Sequence, residues 1–453
     1  MTGTGTAGAY HAGVLRALQE AGIKIDLIAA HGIGAGAALL AAVDGAPRLW
    51  EPTGVWHDPR VRHFYSWRPA VRASFLVLAA GCSVIALPIL VLATGLLVYP
   101  VGFAAQLISP ALRPTLVAAY AGLVARAFEP DLLPTMLPRL AFLTILMVLV
   151  MVAAASLGEI VRRGDRRREQ GPWWTRVLGA PWSARSVFDL FRDALWQFLR
   201  GASQLKQPSE RDLARRYAEV LNDNLGQPGF RELILTSHDL DVRHDVAFAV
   251  LAEPFRREFL RYGASGVRRR PGDVLDLAGL EREHVLDALA ASLSLPILTE
   301  GHAMTFGVES SCRGETHRLT DRGGAIVRLL DEVAAAGVRQ VLVVSASAER
   351  GAPYGLVVRS LRFRARVGEY LAANEVSSTR DALASHTALF ESMFHITPAH
   401  NPIGPLDFGG TRDERSDRTY PLTELMNRGY EDAYRQFIEP IVGASGERLD
   451  VRT

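Results

Sequence analysis

The chain has 453 residues, of which 49% are hydrophobic, with 50 Lys and Arg against 48 Asp and Glu for a formal net charge of +2. That balance excludes the basic footprint of a nucleic-acid binder, and two cysteines, Cys82 and Cys312, exclude a disulfide framework or a cysteine-based zinc site. The length accommodates one large α/β domain plus an insertion, without internal repeats, and no metal or cofactor is expected.

The first feature is a glycine-rich loop, Gly3-Thr4-Gly5-Thr6-Ala7-Gly8, running straight into Ala9–Leu18 with apolar residues at helical spacing. Gln19-Glu20-Ala21-Gly22 closes that helix on a glycine cap. Backbone N–H groups of such a loop beside a helix N-terminus stabilise an oxyanion or hold a phosphate. No cleavable signal sequence is expected ahead of it. His11, inside the helix, reads as a packed structural histidine, and Thr4, Thr6 and Ser292 carry hydroxyls without a strained turn to present them.

Lys24–Ala30 (KIDLIAA) reads as a short buried strand, and Ala35–Val43 as a helix of small residues. Between them stands Gly32-Ile33-Gly34-Ala35-Gly36, the frame of a G-x-S-x-G nucleophile elbow with glycine in the serine position. Gly32 and Gly36 suit a sharp strand-to-helix turn. No atom at Gly34 can form an acyl-enzyme.

Two stretches without a charged side chain follow, Ala73–Leu112 and Leu140–Gly158. A hydrocarbon core about 30 Å thick takes ~20 helical residues, so the second fits one span. The first exceeds one span and is interrupted at Pro88 and Pro100, which leaves a tilted helix with an interfacial extension or a re-entrant hairpin. Spans are expected near 74–98 and 139–160. Arg162, Arg163, Arg166, Arg167 and Arg168 follow the second span and Arg68 and Arg72 precede the first, against Arg113, Arg126 and Arg139 in the linker. Basic residues stay cytoplasmic, so both flanks are expected to face the cytoplasm. All seven tryptophans (Trp50, Trp56, Trp67, Trp173, Trp174, Trp182, Trp196) lie in those flanks, where indoles favour the headgroup zone. The stripe Val187, Leu190, Phe191, Ala194, Leu195 and Phe198 suits core packing or an interfacial helix equally.

Further along come Ala291-Ser292-Leu293-Ser294-Leu295-Pro296, then Asp321-Arg322-Gly323-Gly324, a helix from Ala325 to Ala336, and the strand Gln340–Ser345. Arg268-Arg269-Arg270 reads as a solvated loop. His395–Asp407 is a Pro-, Gly- and Asn-rich loop placed to close over a site as a lid, and Tyr420–Ile441 is a helical tail interrupted at Gly429.

The order of glycine loop, helix, strand, elbow and helix resembles the start of a patatin-like phospholipase domain. That family typically reads GGGxxG, then GxSxG, then a DG[GA] aspartate after an ASxAIP stretch, and cleaves acyl esters of lipids with a Ser-Asp dyad. The resemblance implies a three-layer α/β/α domain with a central, mostly parallel sheet, phospholipid or another acyl lipid as ligand, and the bilayer as partner. It makes Asp321 the dyad aspartate, ahead of Asp407 in Asp407-Phe408-Gly409-Gly410, and Gly34 the place of the nucleophile. N–H groups around Gly3, Gly5, Thr6 and Gly8 become oxyanion or lipid donors. Arg322 departs from the family glycine.

Residues 1–70 and 171–453 then form one domain interrupted by a transmembrane insertion at 71–170. Because both parts share one side of the membrane, the spans between them are even in number, and two satisfy this. Loss of the nucleophile costs serine hydrolases roughly a millionfold in turnover, so an impaired lipid acyl hydrolase is expected, with a non-catalytic lipid-binding or scaffold protein as the alternative. A lesser alternative is dinucleotide binding, because the first loop also satisfies G-x-G-x-x-G with Asp26 near the place of a ribose-binding acid. A second glycine turn at 32–36 has no purpose in that reading.

Overall fold

The computed structural model describes residues 1–129, 137–163, 179–261, 273–307, 310, 312–348, 363–412 and 418–442. Arg166–Arg168, Arg268–Arg270, Trp173 and Trp174 lie outside them. The chain divides into two units, Met1–Ser66 with Trp182–Thr453, and Trp67–Pro181.

The larger unit is built on a sheet of β1 (Leu27–Ala30), β2 (Glu232–Asp239), β3 (His244–Val250), β4 (Val274–Asp276), β5 (His302–Thr305) and β6 (Thr316–Thr320). The path β4-β3-β2-β6-β5 is continuous, and β1 pairs parallel with β2, Leu27 opposite Glu232 and Ala30 opposite Leu235. β2 runs antiparallel to both β3 and β6, and β5 to β6, so the sheet is mixed and not mostly parallel. Two local hairpins, β2–β3 and β5–β6, impose this; short links can only reverse the chain. β7 (Gln340–Val344) and β8 (Ser392–Ile396) form a parallel pair. Met1–Gly3 bridges the two groups. His31 N–H donates to Met1 O (3.3 Å), Ile33 N–H to Gly3 O (3.0 Å), and Thr2 N–H to Val344 O (3.0 Å).

Strand alternation builds three layers. Leu233, Leu235, Val246, Phe248 and Val250 enter the main core with the helices Gly34–Ala42, Arg185–Arg200, Glu210–Asn224 and Val285–Ser292. Ile234 and Ala249 face the other way, onto Phe259 and Leu329. The helix carrying Leu329, Ala325–Ala335, also packs with Ala382 of the helix Phe363–His386 against Val343. The stripe on Arg185–Arg200 is core: Val187, Phe188, Leu190, Phe191, Ala194, Leu195 and Trp196 are buried. Trp56 and Trp182 are buried as well, so these three indoles do not rest on a bilayer. Trp56 packs onto Gly8 of the helix Ala7–Glu20, and Phe191 lies directly on Gly36.

Gly429 does not interrupt its helix, Thr423–Ala433. It is a crossing point: a Cβ there would run into Tyr10 O, and one on Gly13 of the helix Ala7–Glu20 into Met426 O. The helices approach at backbone distance because neither carries a side chain at the crossing.

The second unit contains the helices Pro69–Ala93, Gly95–Gln106, Leu112–Ala127 and Leu137–Arg163. Pro88 and Pro100 sit inside the first two, and the break falls at Thr94 instead. Tyr120 Oη donates to Leu92 O (2.7 Å) and packs edge-on to Tyr99, closing that break. Ala86–Gln106, of mean hydropathy 2.0, is long and apolar enough to cross a membrane; Val71–Ser83 and Pro138–Ala153 are shorter apolar stretches. Phe75, Leu76, Leu96, Leu107, Ile108 and Phe142 are all exposed.

Candidate functional site

Strand register assembles the site. β1 occupies the edge of β2 as far as Leu235, and β6 takes over the same edge at His238, opposite Thr320. Continuing both registers brings His31, after β1, and Asp321, after β6, to neighbouring positions on that edge. The two meet, His31 Nδ1 lying 3.1 Å from Asp321 Oδ1 with both side chains buried. The Ala291–Pro296 segment fixes the aspartate, since Ser294 O accepts from the Asp321 N–H and the Thr320 hydroxyl, both at 2.9 Å. Arg322 turns away to Asp245 (2.5 Å), which is how arginine is accommodated where the family has glycine.

The elbow turns at Gly32, with φ +59°. A Cβ at Gly32 would lie 2.9 Å from Asp321 Oδ2 and nearer still to Gly3 O, so only glycine lets the three segments close up. Gly34 opens the helix Gly34–Ala42, and a Cβ there would face Met1, at 3.0 Å from its carbonyl oxygen and 3.2 Å from its Cβ. Asp321 is packed against Gly32; the Gly34 direction belongs to Met1.

Glu375 is a component that no motif announced. It reaches in from Phe363–His386, where it is 2% exposed, and accepts from the Thr2 hydroxyl (3.3 Å) and the Thr4 N–H. Burial, reinforced by Asp321 and opposed by His31, pushes its carboxyl up to about 7. His11 Nε2 lies 3.0 Å from Thr2 O and donates to it, while burial holds the ring down to about 3, hence neutral. That is the structural histidine expected of it.

The glycine loop is already engaged. Thr6 N–H donates to Pro405 O (2.8 Å) and its hydroxyl to Gly404 O (2.9 Å), while Gly5, at φ +63°, lies against the same Pro405 carbonyl. The strap bearing Pro405 is pinned by Phe408, whose ring meets Phe64 edge-on at 5.3 Å under the Arg364 guanidinium. Asp407 is part of this strap. Gly8 lies under the Trp56 ring, a packing position and not an exposed donor. The Ser292 hydroxyl is tied to Ala288 O (2.8 Å).

Asp26 stands at the N-terminal end of β1, exposed and paired with Lys24 at 2.9 Å, whereas the glycine loop meets the C-terminal end. A ribose-binding acid belongs at the loop's end of its strand, which removes the dinucleotide alternative. No group of three or more His, Cys, Asp or Glu able to hold a metal occurs among the described residues. A surface hollow of about 440 Å³ beside Arg16, Trp50 and Tyr430 shares no residue with the cluster.

Of the residues singled out in sequence, Gly3, Gly32 and Asp321 converge here, while Gly5 and Thr6 meet the strap at Gly404 and Pro405 and Gly34 faces Met1. Adjacency to the elbow could have pointed to His31. Glu375 lies 54 positions beyond Asp321 in an unremarkable helix and left no local trace. A family model described as Patatin-like phospholipase matches residues 1–324, from the glycine loop through Asp321. No curated protein matches the chain.

Proposed function

We propose, since the chain belongs to the patatin-like phospholipase family, that it is a membrane-anchored acyl-lipid protein whose covalent hydrolytic route is impaired. Gly34 carries the proposal: the elbow is built, and its nucleophile position holds no hydroxyl. In this reading phospholipid or another acyl lipid enters beside Gly3, Gly5 and Thr6, and Asp321 occupies the place of the dyad aspartate. With nucleophile loss worth roughly a millionfold, binding and oxyanion contacts retain only about a thousandfold over water.

Membrane anchoring is supported by the exposed apolar helices of the second unit, a surface that water tolerates poorly at this extent. Two crossings, one near 74–98 and one near 139–160, leave both parts of the larger unit on one side. The excess of arginine in the flanks assigns that side to the cytoplasm.

The test is binding and labelling on the detergent-solubilised full chain. An ether-linked phospholipid, which cannot be hydrolysed, should bind, and a fluorophosphonate should form no adduct. An adduct at any residue, or absence of lipid binding, refutes the reading. A purely non-catalytic lipid sensor is the second reading, favoured by one observation: the Thr6 N–H is taken by the chain's own Pro405 carbonyl. Fatty-acid release above an Asp321→Ala control would exclude it.

A further inference from the structure

The partner of Asp321 is an imidazole. Asp321 Oδ1 lies on the Nδ1 side of His31, and a ring bonded to a carboxylate through Nδ1 carries its proton there, leaving Nε2 as the basic atom. His31 Nε2 has no hydrogen-bond partner among the described residues, although the side chain is 2% exposed. A buried nitrogen without a protein partner is costly, and a bound water or a catalytic role is what offsets it.

Its surroundings are those of a proton-transfer site. His31 immediately precedes Gly32, so the ring stands at the root of the elbow beside the Gly3 turn. Glu375 lies close enough to feel the charges of both His31 and Asp321 and holds its proton readily, so an acidic carboxyl accompanies the basic nitrogen. No hydroxyl at Gly34 competes for an acyl group.

We propose that His31, oriented by Asp321, is a general base for direct attack of water on an acyl ester, so that hydrolysis in this chain runs without an acyl-enzyme. This rests on the acyl-lipid reading above. Nε2 takes a proton from water as the water oxygen bonds to the acyl carbon, and the carbonyl π pair moves onto its oxygen. When the tetrahedral intermediate collapses, the carbon–oxygen bond to the alcohol breaks and its electron pair leaves on the alcohol oxygen. That oxygen takes the proton back from Nε2. The products are a carboxylic acid and an alcohol, the imidazole is neutral again, and water is the one reagent consumed. Asp321 accepts the hydrogen bond from His31 Nδ1–H throughout. A general base supplies about 10²- to 10⁴-fold, which makes this a slow hydrolase.

The experiment uses the full chain in mixed micelles with a short-chain nitrophenyl ester, and ether-linked phospholipid as the binding probe. Wild type should release nitrophenol linearly from the first turnover, slow down in heavy water, and form no fluorophosphonate adduct. His31→Gln, whose amide can still bond Asp321, should lower kcat by about 100-fold or more while ether-lipid affinity is unchanged. In His31→Ala, added imidazole should restore part of the rate. A burst equal to the enzyme present, an unchanged rate in His31→Gln, or no ester turnover by a wild type that still binds the ether lipid overturns the proposal. Failure to bind the ether lipid sinks the acyl-lipid reading itself.

Discussion

Asp321 Oδ1 and His31 Nδ1 stand 3.1 Å apart although 290 positions separate them in the chain. The contact exists because two strands share one edge of β2 in succession. Asp321→Ala should therefore strip a buried imidazole of its partner and cost about 1–3 kcal/mol. Asp321→Asn, which keeps an acceptor, should cost less. Urea unfolding midpoints of the two variants in detergent check the order, and equal midpoints would contradict it.

Gly34→Ser places a Cβ 3.0 Å from Met1 O, tighter than ordinary packing, so the start of the chain has to yield by a few tenths of an ångström. The expected outcome is a variant of slightly lower stability that gains fluorophosphonate labelling. Adding Asp321→Asn should remove the label again. Mass spectrometry of the intact chain reads both results.

Glu375 gives the protein a defined pH response. Its folded-state pKa of about 7 lies above the ordinary 4.5, so the folded chain keeps a proton that the unfolded chain has released between those values. The stability it contributes is full below pH 4.5 and is lost as pH rises through 7. His11, lowered to about 3, works in the opposite sense from pH 3 to 6.5, which makes the difference between wild type and Glu375→Gln the informative quantity. Wild type should lose stability relative to Glu375→Gln between pH 5 and 7.5, followed by unfolding midpoints across that range.

At the crossing of Ala7–Glu20 with Thr423–Ala433, Gly429→Ala inserts a methyl group against Tyr10 O. Separating the helices should cost about 1–3 kcal/mol, with no change in ether-lipid affinity if the strap is undisturbed. Thermal unfolding and lipid titration together separate this from a site effect.

Topology is open to cysteine labelling. Cys82 lies exposed in the apolar helix Pro69–Ala93, so a Cys82→Ser background leaves Cys312 as the internal reference. With two crossings, Ser109→Cys should react with an impermeant maleimide on intact cells, and Cys312 only after lysis. Labelling in the reverse order would invert the orientation.

The glycine loop and the elbow were legible in sequence because each is a local pattern forced by backbone geometry, whereas Asp321 was singled out by its order in the family resemblance. Gly32 needs a positive φ, and its identity shows it. The three layers came with the family resemblance, but the mixed strand directions did not, since a four-residue antiparallel return such as β2–β3 leaves no mark that sets its strands apart from other apolar runs. Trp56, Trp182 and Trp196 misled for a related reason: position beside an apolar insertion does not reveal whether an indole points inward. Gly429 read as an interruption because composition cannot tell a helix break from a helix contact. Glu375 and the Pro405 carbonyl were hidden altogether, because what matters about them is the partner they meet.

The bond from Thr6 N–H to Pro405 O has one further consequence. An acceptor tethered to its own donor acts at an effective concentration on the order of millimolar or more. A dissolved lipid monomer competes poorly with such an occupant, whereas a bilayer presents acyl chains at local densities that can. On the acyl-lipid reading proposed above, the strap would make the glycine turn respond to the crowding of lipid around it more than to the affinity of any single molecule.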